Sequence, residues 1–213
     1  MKKLFYLIAG VFLMTSVAFA ANPVQLSVPG ANLPEGDVKG ARLNLLYGKT
    51  ENVTGVNVSV LGLSEVENFK GLQLGFILGG ARVNGEFTGA SLALFNWQEG
   101  QSKGLNIGLL NYTNNMKGVQ LGLVNYTKSE SLIDLGLLNA TKGDSMLKLG
   151  FVNYTGGHST IDLGFVNYAE STTFQLGFVN ATKNLDGLQV GLVNYAENGI
   201  FPVLPIVNFR KSM

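Results

Sequence analysis

The chain has 213 residues with one histidine, His158, and no cysteine, and these two facts decide most of the chemistry open to it. His158 lies in the turn-like stretch Thr155–Thr160 ("TGGHST"). A metal ion needs three or four ligands, and a catalytic base needs a nucleophile and an orienting acid. The residues standing one repeat away from His158 are Asp144 and Thr172, so only Asp144 could join it, and a solvated turn residue is the simpler reading. Ser129, Ser131, Ser145 and Ser159 also fall in turn-like stretches, and one histidine builds no credible triad among them. Paired carboxylates occur as Asp134 and Asp162, two repeats apart with Lys148 between them. That spacing suits a surface ladder of alternating charge better than a glycosidase pair. The glycine-rich Leu78–Gly85 lacks the strand-to-helix setting of a phosphate loop, and the turns lack the aspartates of a calcium-binding β-roll. The residues point to no catalytic group, no cofactor and no metal.

Two other residue types recur in step. An aromatic residue follows an asparagine at Trp97, Tyr112, Tyr126, Tyr154, Tyr168 and Tyr195, and again at Phe209, with Ala140 and Ala181 interrupting the series. A stacked row of rings could take up a glycan or another protein, or it could simply cover a corner of the fold. The asparagine itself begins an Asn-x-Ser/Thr triplet at Asn111, Asn125, Asn139, Asn153 and Asn180. Asn167 and Asn194 are followed by Tyr-Ala, Asn96 by Trp-Gln and Asn208 by Phe-Arg. The asparagine persists where the threonine does not, so a structural role is indicated. Stacked asparagines can bond one another and the turn backbone, satisfying amides that a strand ladder leaves over.

The elements that position these residues repeat. The glycines Gly108, Gly122, Gly136, Gly150, Gly164, Gly177 and Gly191 stand 14 residues apart, with one step of 13. Looser copies upstream, such as "VKGARLNLLYG" and "FKGLQLGFIL", bring the total to about twelve units between residues 38 and 209. Within a unit the apolar residues alternate: Val119, Leu121 and Leu123 are separated by Gln120 and Gly122. A period of two means strand. The following "TKSES", "TKGDS" and "TGGHS" read as turns.

One strand and one turn per unit fit two architectures. The first is a parallel β-solenoid of about twelve coils of about 14 residues, with equivalent residues stacked. The second is a 12-stranded antiparallel outer-membrane β-barrel, whose crossings need about 9–11 residues. The solenoid is favoured. Parallel stacking explains why every slot keeps its residue type, and the turns after residue 112 are all short. Pro202 and Pro205 would blunt an exposed final coil. In this reading Val119, Leu121 and Leu123 point inward and make the core. Residues 21–37, with Pro23, Pro29 and Pro34, form an N-terminal cap. Residues 38–197 form the repeat domain, and 198–213 the final repeat and C-terminal cap.

Residues 1–20 read as a secretory signal peptide: Lys2 and Lys3, an apolar run from Leu4, and Ala18-Phe19-Ala20 at the end. The formal charge of +1 provides no basic face for nucleic acid. The units "GVQLGLVNYT" and "VKGARLNLLYGKTENVTG" and the run Gly187–Phe209 resemble bacterial surface-repeat proteins built from Gly-Leu-Gln-x-Gly-Leu-x-Asn units. That resemblance covers roughly residues 38–209. It implies an envelope or cell-surface location in a diderm bacterium and no enzymatic activity, and it carries over no functional residues. The expectation is a non-enzymatic, exported, structural or adhesive protein, its partners an envelope glycan or another surface protein, with membrane association left open. An outer-membrane pore or small transporter is the alternative.

Overall fold

The structure, a computed structural model, describes residues 21–211. The expected signal peptide lies outside the described residues. Thirteen strands and, among the described residues, no helix make up the fold. The first seven are β1 (Asn22–Val28), β2 (Ala31–Leu33), β3 (Val38–Asn44), β4 (Tyr47–Ser59), β5 (Leu63–Gly75), β6 (Gly80–Val83) and β7 (Phe87–Leu92). The remaining six are β8 (Phe95–Ile107), β9 (Leu110–Thr127), β10 (Ser131–Thr141), β11 (Ser145–Leu176), β12 (Val179–Ala196) and β13 (Val203–Phe209). Several are long because the chain keeps pairing as it rounds a corner, and the 32 residues of β11 span more than two repeats.

Strand pairing from β3 to β12 is parallel throughout. Leu121 stands opposite Leu135, Gly122 opposite Gly136 and Asn125 opposite Asn139. The chain is therefore a β-solenoid of about eleven turns, one fewer than expected. The antiparallel barrel falls on this pairing. Only the ends reverse: β2 runs antiparallel to β1, and β13 antiparallel to β12. The segment 21–37 is thus more than a cap, because β1 is itself a rung paired in parallel with β3. The last unit is not a further coil either. Asn208 stands opposite Gln189 rather than Asn194, and the register breaks between Gly191 and Asn194, where the prolyl nitrogen of Pro205 has no hydrogen to give.

The expected core is turned inside out. Gln120 is fully buried, whereas Leu121 and Leu123 are 45% and 49% exposed. The alternation was read correctly, but the polar parity faces inward. Arg42, Asn57, Gln73, Ser91 and Asn106 occupy one inward column, each opposite the next, and Gln120, Asp134 and Lys148 continue it. All eight are buried. Among the described residues a clustered apolar centre lies toward the N-terminal end, where Val38, Val53, Val66, Phe69, Val83 and Phe87 meet, with Met116 and Leu185 buried farther along. In that cluster the rings of Phe69 and Phe87 stack at 5.7 Å.

Two glycine columns make the coil possible. Gly40, Gly55, Gly71, Gly89 and Gly104 stand in register with φ between +129° and +148°, a conformation closed to residues with a Cβ. The second column makes room rather than a turn. A Cβ on Gly122 would lie 2.8 Å from Asn111 Nδ2 and 3.0 Å from Asn125 Oδ1, and Gly136, Gly150, Gly164 and Gly177 are crowded in the same way.

Candidate functional site

The asparagines that follow those glycines form one uninterrupted ladder. Asn96 Nδ2 donates to Asn111 Oδ1, and the same bond recurs through Asn125, Asn139, Asn153, Asn167, Asn180 and Asn194 at 2.7–2.9 Å. The second amide hydrogen of each goes to a strand carbonyl, as from Asn125 to Leu135 at 2.9 Å and from Asn139 to Leu149 at 3.0 Å. The amide thus spends both donors and its acceptor inside the protein, as a buried amide must. The five triplet asparagines of the regular repeats, Asn111, Asn125, Asn139, Asn153 and Asn180, are buried in this ladder and present no side chain to a modifying enzyme in the folded state; of two further triplets upstream, Asn57 is also buried and Asn52 is half-buried.

The charged column is inside too, which corrects its expected place on the surface. Asp134 accepts from Gln120 Nε2 at 2.8 Å and from Thr141 Oγ1 at 3.2 Å. Lys148 stands opposite Asp134, and its Nζ donates to Thr155 Oγ1 at 2.8 Å. Gln189 donates to Gln175, which donates to Asp162. Burial pushes the Lys148 ammonium down to about 8, against the opposing pull of Asp134 and Asp162. Burial likewise raises the Asp162 carboxyl, although Lys148 and Gln175 favour its charged form. At the other end burial lowers Arg42 to about 10; its Nε donates to Ser27 at 2.9 Å and its Nη1 to Ser64 at 2.7 Å. These groups are enclosed away from solvent and joined to one another by hydrogen bonds, with Arg42 Nη2, Asp162 Oδ1 and Gln189 Oε1 left without a partner, so the column serves as the polar core of the coil.

The outside carries the candidate binding features. Trp97, Tyr112 and Tyr126 fall in consecutive register, with ring centroids 5.0 and 5.4 Å apart. Tyr154 and Tyr168 form a second pair at 5.4 Å. Ala140 stands in line between Tyr126 and Tyr154, Ala181 opposes Tyr168, and Tyr195 opposes Val203 of the reversed strand. The expected aromatic row is therefore real and in line, but broken into a triplet, a pair and a single ring. A second row was missed: Phe151, Phe165 and Phe178 stack at 4.9 and 4.7 Å and are exposed. The recurring "LGF" was its signal in the sequence, read as core because its parity was assigned inward.

Charged side chains collect on the turns beside the tyrosines. Lys128 Nζ lies 5.0 Å from the Tyr112 ring centre and 3.2 Å from Glu99 Oε2, tying three coils together. Burial alone would raise the Glu99 carboxyl, but hydrogen bonds from Trp97 Nε1 and Lys128 outweigh it and hold Glu99 below the usual range. Lys183 pairs with Glu170 at 2.9 Å. His158 is less solvated than expected. Its backbone N–H donates to Asp144 Oδ1 at 2.7 Å, and its ring contacts Ser171 Oγ at 3.1 Å and Thr173 Oγ1 at 3.2 Å. Among the described residues no three His, Cys, Asp or Glu side chains converge as metal ligands would. No family model, curated protein or solved structure matches the chain.

Proposed function

We propose that this chain is a non-enzymatic structural or adhesive repeat protein of a bacterial envelope, of the surface-repeat kind that its units resemble. The observation that carries the reading is the exterior: apolar and aromatic side chains that recur in register from coil to coil along a solid rod. Contact spread along a rod suits a protein whose work is to hold surfaces together, as in other solenoids with extended binding faces. The aromatic triplet Trp97–Tyr112–Tyr126 and the pair Tyr154–Tyr168 are the features best suited to a glycan or a partner protein, because stacked rings offer wide, rigid faces. A pore is not supported, since the interior is filled by buried side chains.

Cell fractionation combined with protease shaving of intact cells tests this. Recovery in the envelope fraction, with loss on shaving, is the expected result. Recovery in the cytoplasm with its first twenty residues intact would overturn it.

A further inference from the structure

In the units from residue 119 onward, the stretches 119–126, 133–140, 147–154, 161–168, 174–181 and 188–195 contain three charged residues, Asp134, Lys148 and Asp162, and all three are buried. Everything these stretches expose is apolar or aromatic apart from their glycines. The exposed charges of the same units, among them Lys128, Glu130, Lys142, Asp144, Glu170 and Lys183, lie on the intervening turns. In register, this makes a rod with one apolar flank, which wraps the edge between two sides of the coil, and one charged ridge, both running lengthwise. The flank continues into the N-terminal half, where Val56 opposes Leu72, Leu72 opposes Ala90, and Leu74 opposes Leu92.

Resting on the envelope reading, we propose that this flank is a lipid-facing surface, and that the solenoid lies within one face of a bilayer with its axis in the membrane plane. Three arguments select lipid. First, Gln120 and Thr127 meet across the interior, so the apolar surface wraps the edge that carries Phe151, Phe165 and Phe178, and the row Trp97–Tyr112–Tyr126, resumed by Tyr154 and Tyr168, stands past that edge, two residues from the ridge positions Lys128 and Glu170. Rings with a polar tip settle at that level of a membrane, between acyl chains and water. Trp97 already turns its Nε1 hydrogen to Glu99 on the ridge side. Secondly, the ridge runs the full length, so no cross-section is free of charge. The rod therefore cannot cross a bilayer end-on, and only its flank can enter, to the ~5–10 Å depth of an interfacial element. Thirdly, a protein partner is oriented by about ten hydrogen bonds in a typical interface. Apart from tyrosine hydroxyls, the flank's side chains present no exposed hydrogen-bonding group that could fix such a partner's register. Acyl chains require none. The ridge mixes both signs of charge, so the attachment is apolar and indifferent to lipid charge and to salt.

The single tryptophan reports on the test. The purified full chain is mixed with neutral phosphatidylcholine vesicles and floated on a density gradient. The expected result is co-flotation unchanged by about 0.5 M salt, where the Debye length falls to about 4 Å and attraction between surface charges is suppressed, with Trp97 emission shifted to the blue and quenched by brominated acyl chains. The double variant F151K/F165K, its strand content verified by circular dichroism, is expected to partition at least about tenfold more weakly, as charges facing hydrocarbon do. The ridge variant K142Q is expected to float as the wild type does. Protein that stays at the bottom as a monomer, or as a dimer with Trp97 shielded by a second copy, overturns the proposal, as does undiminished flotation of F151K/F165K. Cytoplasmic recovery in the fractionation above would remove the envelope reading while leaving vesicle binding intact, so the two failures are distinct.

Discussion

Replacing Asn139 by alanine strands groups on both sides of one rung. Asn125 Nδ2 loses its acceptor, and Asn153 Oδ1 and the Leu149 carbonyl lose their donor. Each orphaned buried group costs about 1–3 kcal/mol, so N139A is expected to lower unfolding stability by about 2–5 kcal/mol, read as a shift in the urea midpoint. The buried charges give a pH signature. Asp162 binds its proton more tightly in the folded chain, so its stabilising contribution is present below its unfolded value near 3.8 and is lost as pH rises through the raised folded value. Lys148 binds its proton less tightly when folded, so its contribution is present above 10.5 and is lost as pH falls through about 8. Stability is therefore expected to dip between these limits and to climb again from about pH 8 towards 10.5. K148Q, which copies the amide of Gln120, should flatten the alkaline climb, and urea midpoints measured across pH check it. At this scale the sequence was half legible. The persistence of asparagine without its threonine revealed the ladder, but Asp134, Lys148 and Asp162 looked like surface charges because amides elsewhere in their column gave no sign that it was enclosed.

Strands and their register were the most legible part, because a slot that keeps its residue type every 14 residues makes sense only if like stacks on like. Leu121 opposite Leu135 is the direct case. The chain has no cysteine of its own, so L121C/L135C is expected to form an intramolecular disulfide under mild oxidation, seen as faster migration on a non-reducing gel. An antiparallel neighbour would leave that pair apart. Two things were hidden. A two-residue period says that the faces differ, but not which face is inside. The pairs Leu123–Val124 and Leu137–Leu138, with alternation broken at a corner, prevent parity from being carried from the asparagine to the glutamine column. The reversal of β13 was hidden because Asn208 keeps the repeat spacing although the chain has already turned back over residues 197–202.

Taken whole, the molecule inverts the usual partition of a soluble domain: amides and charges fill the interior while leucine, valine and phenylalanine line most of the outside. Water-soluble monomers rarely expose contiguous apolar patches above a few hundred Å². Without lipid or detergent the purified chain is therefore expected to self-associate, and in mild detergent to run as a monomer, which size-exclusion chromatography with light scattering distinguishes. Single charged substitutions on the flank, such as F165K, should reduce that self-association, while changes on the charged turns should leave it unaltered.

The parallel register also sets how the rod can change size. Each repeat presents to the next the same amide, the same glycine gap and the same outward residues that it received from the one before. Duplicating residues 125–138 would thus lengthen the molecule by about 4.8 Å, one strand spacing, with its cross-section untouched. Reach becomes a quantity that grows in fixed steps, independent of the two reversed strands that close its ends.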